Sequence, residues 1–168
     1  MTLQLKPLFA GEIDRLSIDA QLDLSSFDFQ GTQPLAQPVK VNGEVVARAG
    51  MLWLTLRYVY VFEGVCDRCL SPVRFESALS VEHILVSSLN EEDSDELILV
   101  ENGELELEPL AESDIYLELP QKTLCKSDCR GLCQHCGKNL NDGLCGCQEK
   151  RVDPRLAALA SLLTEETE

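Results

Sequence analysis

The sequence predicts an α+β protein, mostly β: an antiparallel sheet or partial barrel of long hairpins, one or two short helices, and a C-terminal cysteine-rich zinc-binding segment. Three observations predict it. Residues 16–24, 51–63 and 73–86 alternate between two faces with a period of two, the mark of strands. Helical periodicity is confined to two short stretches, 109–119 and 153–163. Six of the eight cysteines crowd into residues 125–147. A boundary is expected near residue 119, between a β-rich domain with an acidic link and helix (1–119) and a cysteine-rich segment with a C-terminal helix packed on the first part (120–168).

In order, Ile18, Ala20, Leu22 and Leu24 share one strand face, with Ser17, Asp19, Gln21 and Asp23 on the other. Residues 25–38 read as turns around Gly31, Pro34 and Pro38. Residues 39–49 form a strand in which Asn42-Gly43 signals a turn or bulge. Gly50 reverses the chain into 51–63, the strongest strand, with Leu52, Leu54, Leu56, Tyr58, Tyr60 and Phe62 on one side. Pro72 restarts it, and 73–86 alternate again, so Cys66-Asp67-Arg68-Cys69 falls at a hairpin tip. His83 reads as a half-buried strand histidine without a partner motif. Residues 97–100 and 104–107 suggest a short hairpin about Asn102-Gly103. Pro109 suits the first turn of a helix that repeats Ala111, Ile115 and Leu119 on one face and is stopped by Pro120. In the tail, Asp153 can cap and Pro154 can open a helix carrying Leu156, Leu159, Ala160 and Leu163.

The formal net charge of −15 argues against broad nucleic-acid binding by the overall field and for attraction of a basic partner. Residues 87–119 contain no lysine or arginine, and Glu91, Glu92, Asp93, Asp95 and Glu96 form an acidic loop. No histidine or basic partner accompanies these carboxylates at catalytic spacing, so they read as a solvated face or a protein-docking surface. No Ser/His/Asp arrangement and no phosphate-binding glycine loop supports an enzyme or a small-molecule substrate. The N-terminal residues lack a basic segment followed by an apolar core, and no apolar run approaches the roughly 18 residues of a membrane helix. A reducing cytoplasmic setting without a membrane partner is expected, where thiols remain available for metal.

Cysteine chemistry carries the site. Disulfides and metal compete, and metal is favoured. Cys133-x2-Cys136 followed by Gly137 sets two thiolates on one tight turn with amides facing sulfur. Cys145 and Cys147 can complete that site, and Cys125 and Cys129 can join Cys66 and Cys69 in a second. Spacing also permits Cys66, Cys69, Cys133 and Cys136 to share one ion. One or two Zn²⁺ ions are expected, structural because four thiolates leave no open position for water. His135 is expected to face solvent. Lys122, Lys126, Arg130 and Lys138 surround this segment. They offset the charge of zinc–thiolate sites, with an RNA-contacting patch as the alternative, although no aromatic side chain accompanies them for base stacking.

CDRCL at a hairpin tip, a helix ending LELP, LCKSDCRGLCQHCGKNLN followed by CGC, and DPRLAAL occur in an order that resembles the YceD family of bacteria and plastids, the large ribosomal RNA subunit accumulation proteins. The resemblance covers residues 45–165. It implies a role in accumulation of large-subunit ribosomal RNA, with a basic ribosomal protein or large-subunit assembly factor, or ribosomal RNA itself, as partner. The expected function is a non-enzymatic factor for large ribosomal subunit assembly, stabilised by structural zinc. A direct RNA-binding zinc module and a redox-responsive zinc protein are the alternatives.

Overall fold

A computed structural model describes residues 1–88 and 97–147. The expected acidic loop at 91–96 and the expected tail helix lie outside the described residues. The chain runs β1 (Thr2–Gln4), α1 (Lys6–Phe9), β2 (Arg15–Leu22), β3 (Val39–Arg48), β4 (Met51–Val65), β5 (Pro72–Val86), β6 (Leu97–Leu99), β7 (Glu104–Glu106) and α2 (Leu107–Glu118). Strands β2 to β6 form one open sheet in sequence order, and β1 pairs with β7 in a second, two-stranded sheet. The fold is therefore mostly strand with few helices, and the sheet does not close into a barrel.

The long strands follow from alternation. Along β4, Leu52, Leu54, Leu56, Tyr58, Tyr60 and Phe62 are all buried, while Thr55 and Arg57 are exposed. Ala49 and Gly50 both take positive φ (51° and 81°), the mirror-image turn whose twist matches two antiparallel strands, so β3 and β4 join directly. Fourteen residues of β4 then pair with β5, from Leu52 opposite Leu85 to Val65 opposite Pro72, which projects Cys66 and Cys69 beyond the sheet's end. Phe62 stacks on Phe75 across this ladder with ring centroids 4.8 Å apart.

Two local expectations are corrected. Asn42-Gly43 neither turns nor interrupts β3, and both residues hold register with β2 and β4. Gly43 is required by crowding: a Cβ there would lie 2.1 Å from the Thr55 carbonyl oxygen. Residues 97–100 and 104–107 do not form a hairpin together. The chain does turn at Asn102 and Gly103 (φ 56° and 68°), but β6 pairs parallel to β5 and β7 pairs with β1. The turn signal located the reversal and said nothing of partners, because β1 is a strand of only three residues at the far end of the chain. The first turn, α1, also lay outside the expectations.

Helix α2 contains Pro109 in its first turn, and Leu119 becomes extended (ψ 135°) as the following Pro120 requires. Its buried face carries Leu107, Ala111, Asp114, Ile115 and, just beyond the end, Leu119. Asp114 is tied to the sheet: Tyr58 donates to its Oδ2 at 2.8 Å, and His83 Nε2 lies 3.0 Å from the same oxygen. Burial and this carboxylate together push the Tyr58 hydroxyl far up, so it keeps its proton. His83 is half-buried, as expected, but it has a partner. No described helix is long and apolar enough to cross a membrane.

Candidate metal centres

Two C-x2-C turns have the same backbone. In the first, the Cys66 amide donates to the Ser71 carbonyl (2.8 Å) and the Leu70 amide to the Cys66 carbonyl (2.8 Å). In the second, the Cys133 amide donates to the Lys138 carbonyl (2.8 Å) and the Gly137 amide to the Cys133 carbonyl (2.9 Å). The residue after the second cysteine has positive φ in both turns, 58° at Leu70 and 72° at Gly137. Glycine takes this conformation freely, whereas leucine is strained there.

The eight sulfurs fall into two groups of four. Cys66, Cys69, Cys125 and Cys129 form one, and Cys133, Cys136, Cys145 and Cys147 the other, with the ligand atoms of each group all within 4.8 Å of one another. Four sulfurs at about 2.3 Å from a tetrahedral ion would stand about 3.8 Å apart. Cys66 and Cys129 sulfurs are 3.7 Å apart, and those of Cys69 and Cys125 are 3.5 Å apart. Each group could hold a metal ion. The alternative of Cys66 and Cys69 sharing an ion with Cys133 and Cys136 does not correspond to this grouping.

The first group sits inside the protein. Cys66, Cys69 and Cys129 are buried against Val73, Leu124 and Leu132, and Cys125 alone is exposed. It is cross-tied: Arg68 donates to the Cys129 carbonyl (2.9 Å), the Leu132 amide to the Arg68 carbonyl (3.1 Å), and Asp67 and Thr123 exchange two bonds (2.9 and 2.7 Å). Gly131, at φ 75°, passes so close to the Arg68 carbonyl that a Cβ would stand 3.0 Å from it. The Asn141 side-chain amide approaches the Cys129 sulfur at 3.3 Å, and the Cys69 sulfur lies 3.3 Å from the Ser71 hydroxyl.

The second group is at the surface. Cys133 and Cys145 are half-buried, and Cys136 and Cys147 are exposed. Its frame is local: the Leu132–Asn139 bridge, the Asn139 side chain accepting from the Asn141 amide (2.9 Å), and Lys138 Nζ donating to the Leu144 carbonyl (3.2 Å). His135 is exposed and its backbone amide, not its ring, approaches the Cys133 sulfur (3.4 Å).

The electrostatics of the two groups run in parallel. Burial pushes the Cys66 thiol up, but the amides of Cys125, Cys69 and Arg68 outweigh it and hold the thiol at about 6. The amides of Cys136 and His135 bring Cys133 to about 6 as well. The neighbouring Cys69 sulfur pushes Cys125 up to about 12, and Cys136 does the same to Cys147. Backbone amides, and the Ser71 hydroxyl and amide at Cys69, thus favour thiolate at some positions of each group, whereas Cys125 and Cys147 give up their protons only to a bound cation.

Lys122, Lys126, Arg130 and Lys138 are all exposed on this lobe. The acidic set Glu91, Glu92, Asp93, Asp95 and Glu96 lies outside the described residues. Sequence reasoning missed Asp114, Ser71, Asn139 and Asn141. Asp114 had a signal, since it lies three residues after Ala111 and beside Ile115 on the face that α2 buries. The polar residues around the sulfurs had none.

Comparison with known proteins adds relatives and a family. The family model described as "Large ribosomal RNA subunit accumulation protein YceD" matches residues 54–163, which include all eight cysteines. An uncharacterized protein of Mycobacterium tuberculosis is 31% identical over 150 residues, covering 78% of this chain and 72% of the relative. The uncharacterized protein YlbN of Bacillus subtilis is 25% identical over 162 residues, covering 88% of this chain and 94% of the relative. No solved structure matches the chain.

Proposed function

The chain belongs to the YceD family, and from that premise we propose that it is a non-enzymatic factor supporting assembly of the large ribosomal subunit and accumulation of its ribosomal RNA, stabilised by two structural Zn²⁺ ions. The family's description, a large ribosomal RNA subunit accumulation protein, supports the biological role. The observation that carries the zinc is the pair of four-sulfur groups, each with ligand atoms within 4.8 Å of one another. Zinc suits them because it accepts four thiolates in a tetrahedron without redox chemistry of its own. All-sulfur coordination leaves no open position for a reacting water, which supports a structural role.

The action proposed is to hold a basic ribosomal protein or assembly factor in the cytoplasm until RNA takes over, which suits a chain of net charge −15. Sedimentation of a cell lysate at low and moderate salt tests the ribosomal part. Co-migration of the protein with large-subunit precursors is the expected outcome. Confinement to a small free species, with unchanged ribosomal RNA levels on depletion, contradicts it.

A second reading is direct RNA contact through Lys122, Lys126, Arg130 and Lys138, favoured by the exposure of all four on the cysteine-rich lobe. It requires RNA affinity that falls steeply with salt. A flat titration removes it.

A further inference from the structure

The outer face of α2 leaves apolar surface that neither the metal centres nor the core covers. Opposite its buried residues, the helix presents Tyr116 and Leu117. Leu117 is 83% exposed, more than any other large apolar residue described, and Tyr116 is 51% exposed. The Tyr116 ring is held in place: Phe27 and Phe29 meet it edge-on with centroids 6.4 and 5.4 Å away. An apolar step fixed in advance loses little side-chain freedom when it is covered, which favours its use in binding.

The stretch of chain that carries this step, as far as Lys122 just beyond it, bears one sign of charge. Residues 97–121 contain six glutamates and one aspartate and no lysine or arginine. Asp114 is buried and engaged by Tyr58 and His83. Glu108 faces the N-terminal amine. Glu112 lies one helical turn before Tyr116, and Glu118 directly follows Leu117. Among the described residues, neither Glu112 nor Glu118 has a salt-bridge partner. Such a field attracts cations over a Debye length and repels phosphate.

We propose that this face of α2 docks a cationic segment of a protein partner. An aliphatic or aromatic side chain of that segment covers Leu117 and Tyr116, and its lysine or arginine side chains meet Glu112 and Glu118. The apolar anchor supplies contact area, and the glutamates supply orientation and association rate. The choice of a large-subunit protein as the source of the segment rests on the ribosomal reading above.

The test uses the full-length, zinc-loaded protein with p-benzoylphenylalanine replacing Leu117. It is irradiated with RNA-free proteins extracted from purified large subunits. The expected result is a crosslink to a lysine- and arginine-rich segment. It should fall about tenfold in the Glu112→Lys, Glu118→Lys double variant, with zinc content and melting temperature unchanged. A crosslink to the chain's own residues 148–168, a yield unaffected by charge reversal, or no crosslink overturns the proposal. Gradient sedimentation of the same variants separates the two claims. Wild-type and charge-reversed proteins that co-migrate equally with precursors sink the docking face and leave the assembly reading standing. Loss of co-migration by the wild type removes that reading itself.

Discussion

The two four-sulfur groups repeat one turn and differ in everything around it. The first joins cysteines 63 positions apart, Cys66 at the β4–β5 tip and Cys129 beyond α2, and buries three of its four residues. The second takes all its sulfurs from residues 133–147 and buries none of its residues. A link between distant segments removes more freedom from the unfolded chain than a local one. A buried site also excludes competing ligands and solvent better. The same coordination chemistry should therefore fasten the lobe to the sheet in the first case and shape only a surface loop in the second.

The largest expected effect separates them by stability. Cys66→Ser should remove one zinc and lower the melting temperature by roughly 10 °C or more, since metal binding at such a site is folding free energy. Cys136→Ser should also remove one zinc but lower the transition by no more than about 3 °C. Calorimetry with metal analysis checks both, and equal shifts would erase the distinction.

A smaller effect tests the shared turn. Leu70 occupies the left-handed position that Gly137 fills in its counterpart. Gly137→Leu should cost about 1 kcal/mol, the usual penalty for a side chain there. Leu70→Gly should be neutral or stabilise by a few tenths of a kcal/mol, because relieved strain is offset by a freer unfolded chain. Chemical denaturation of both variants reads the difference. A marked destabilisation by Leu70→Gly would mean that the leucine side chain has a packing role within this chain.

The smallest effect is chemical and concerns the metal-free protein. A thiol brought down to about 6 is thiolate at neutral pH, so alkylation of Cys133 should lose half its rate as pH falls through about 6. Cys147, pushed up to about 12, should stay protonated and slow at neutral pH. Cys66 shares the low value but is buried, so its labelling should lag behind that of Cys133. Peptide mapping after timed iodoacetamide treatment tests this order.

Much of the fold was legible because β4 and β5 are long and largely alternate, with one face of β4 apolar throughout, so that face had to be buried and the cysteine pair had to emerge at their tip. The errors arose where a local signal has two physical causes. Asn42-Gly43 resembles a turn, yet its glycine answers the approach of the Thr55 carbonyl from the neighbouring strand. Asn102-Gly103 does reverse the chain, but the choice of β1 as the next partner depends on residues a hundred positions away. In the candidate site, the C-x2-C turns were readable from spacing and Gly137. The grouping of sulfurs was not fixed by spacing, because Arg68, Gly131 and Leu132 bring the lobe onto the hairpin through backbone contacts that leave no pattern in the sequence. Asp114 was missed because acids on helices usually face water; here Tyr58 and His83 offset its burial.

Stepwise chelation of the zinc-loaded protein, followed by native mass spectrometry and alkylation mapping, tests the difference between the two groups most directly. The account predicts a one-zinc species in which Cys133, Cys136, Cys145 and Cys147 are labelled while Cys66, Cys69, Cys125 and Cys129 remain protected. Loss of both ions together, or a one-zinc species labelled first at Cys66 and Cys69, would contradict it.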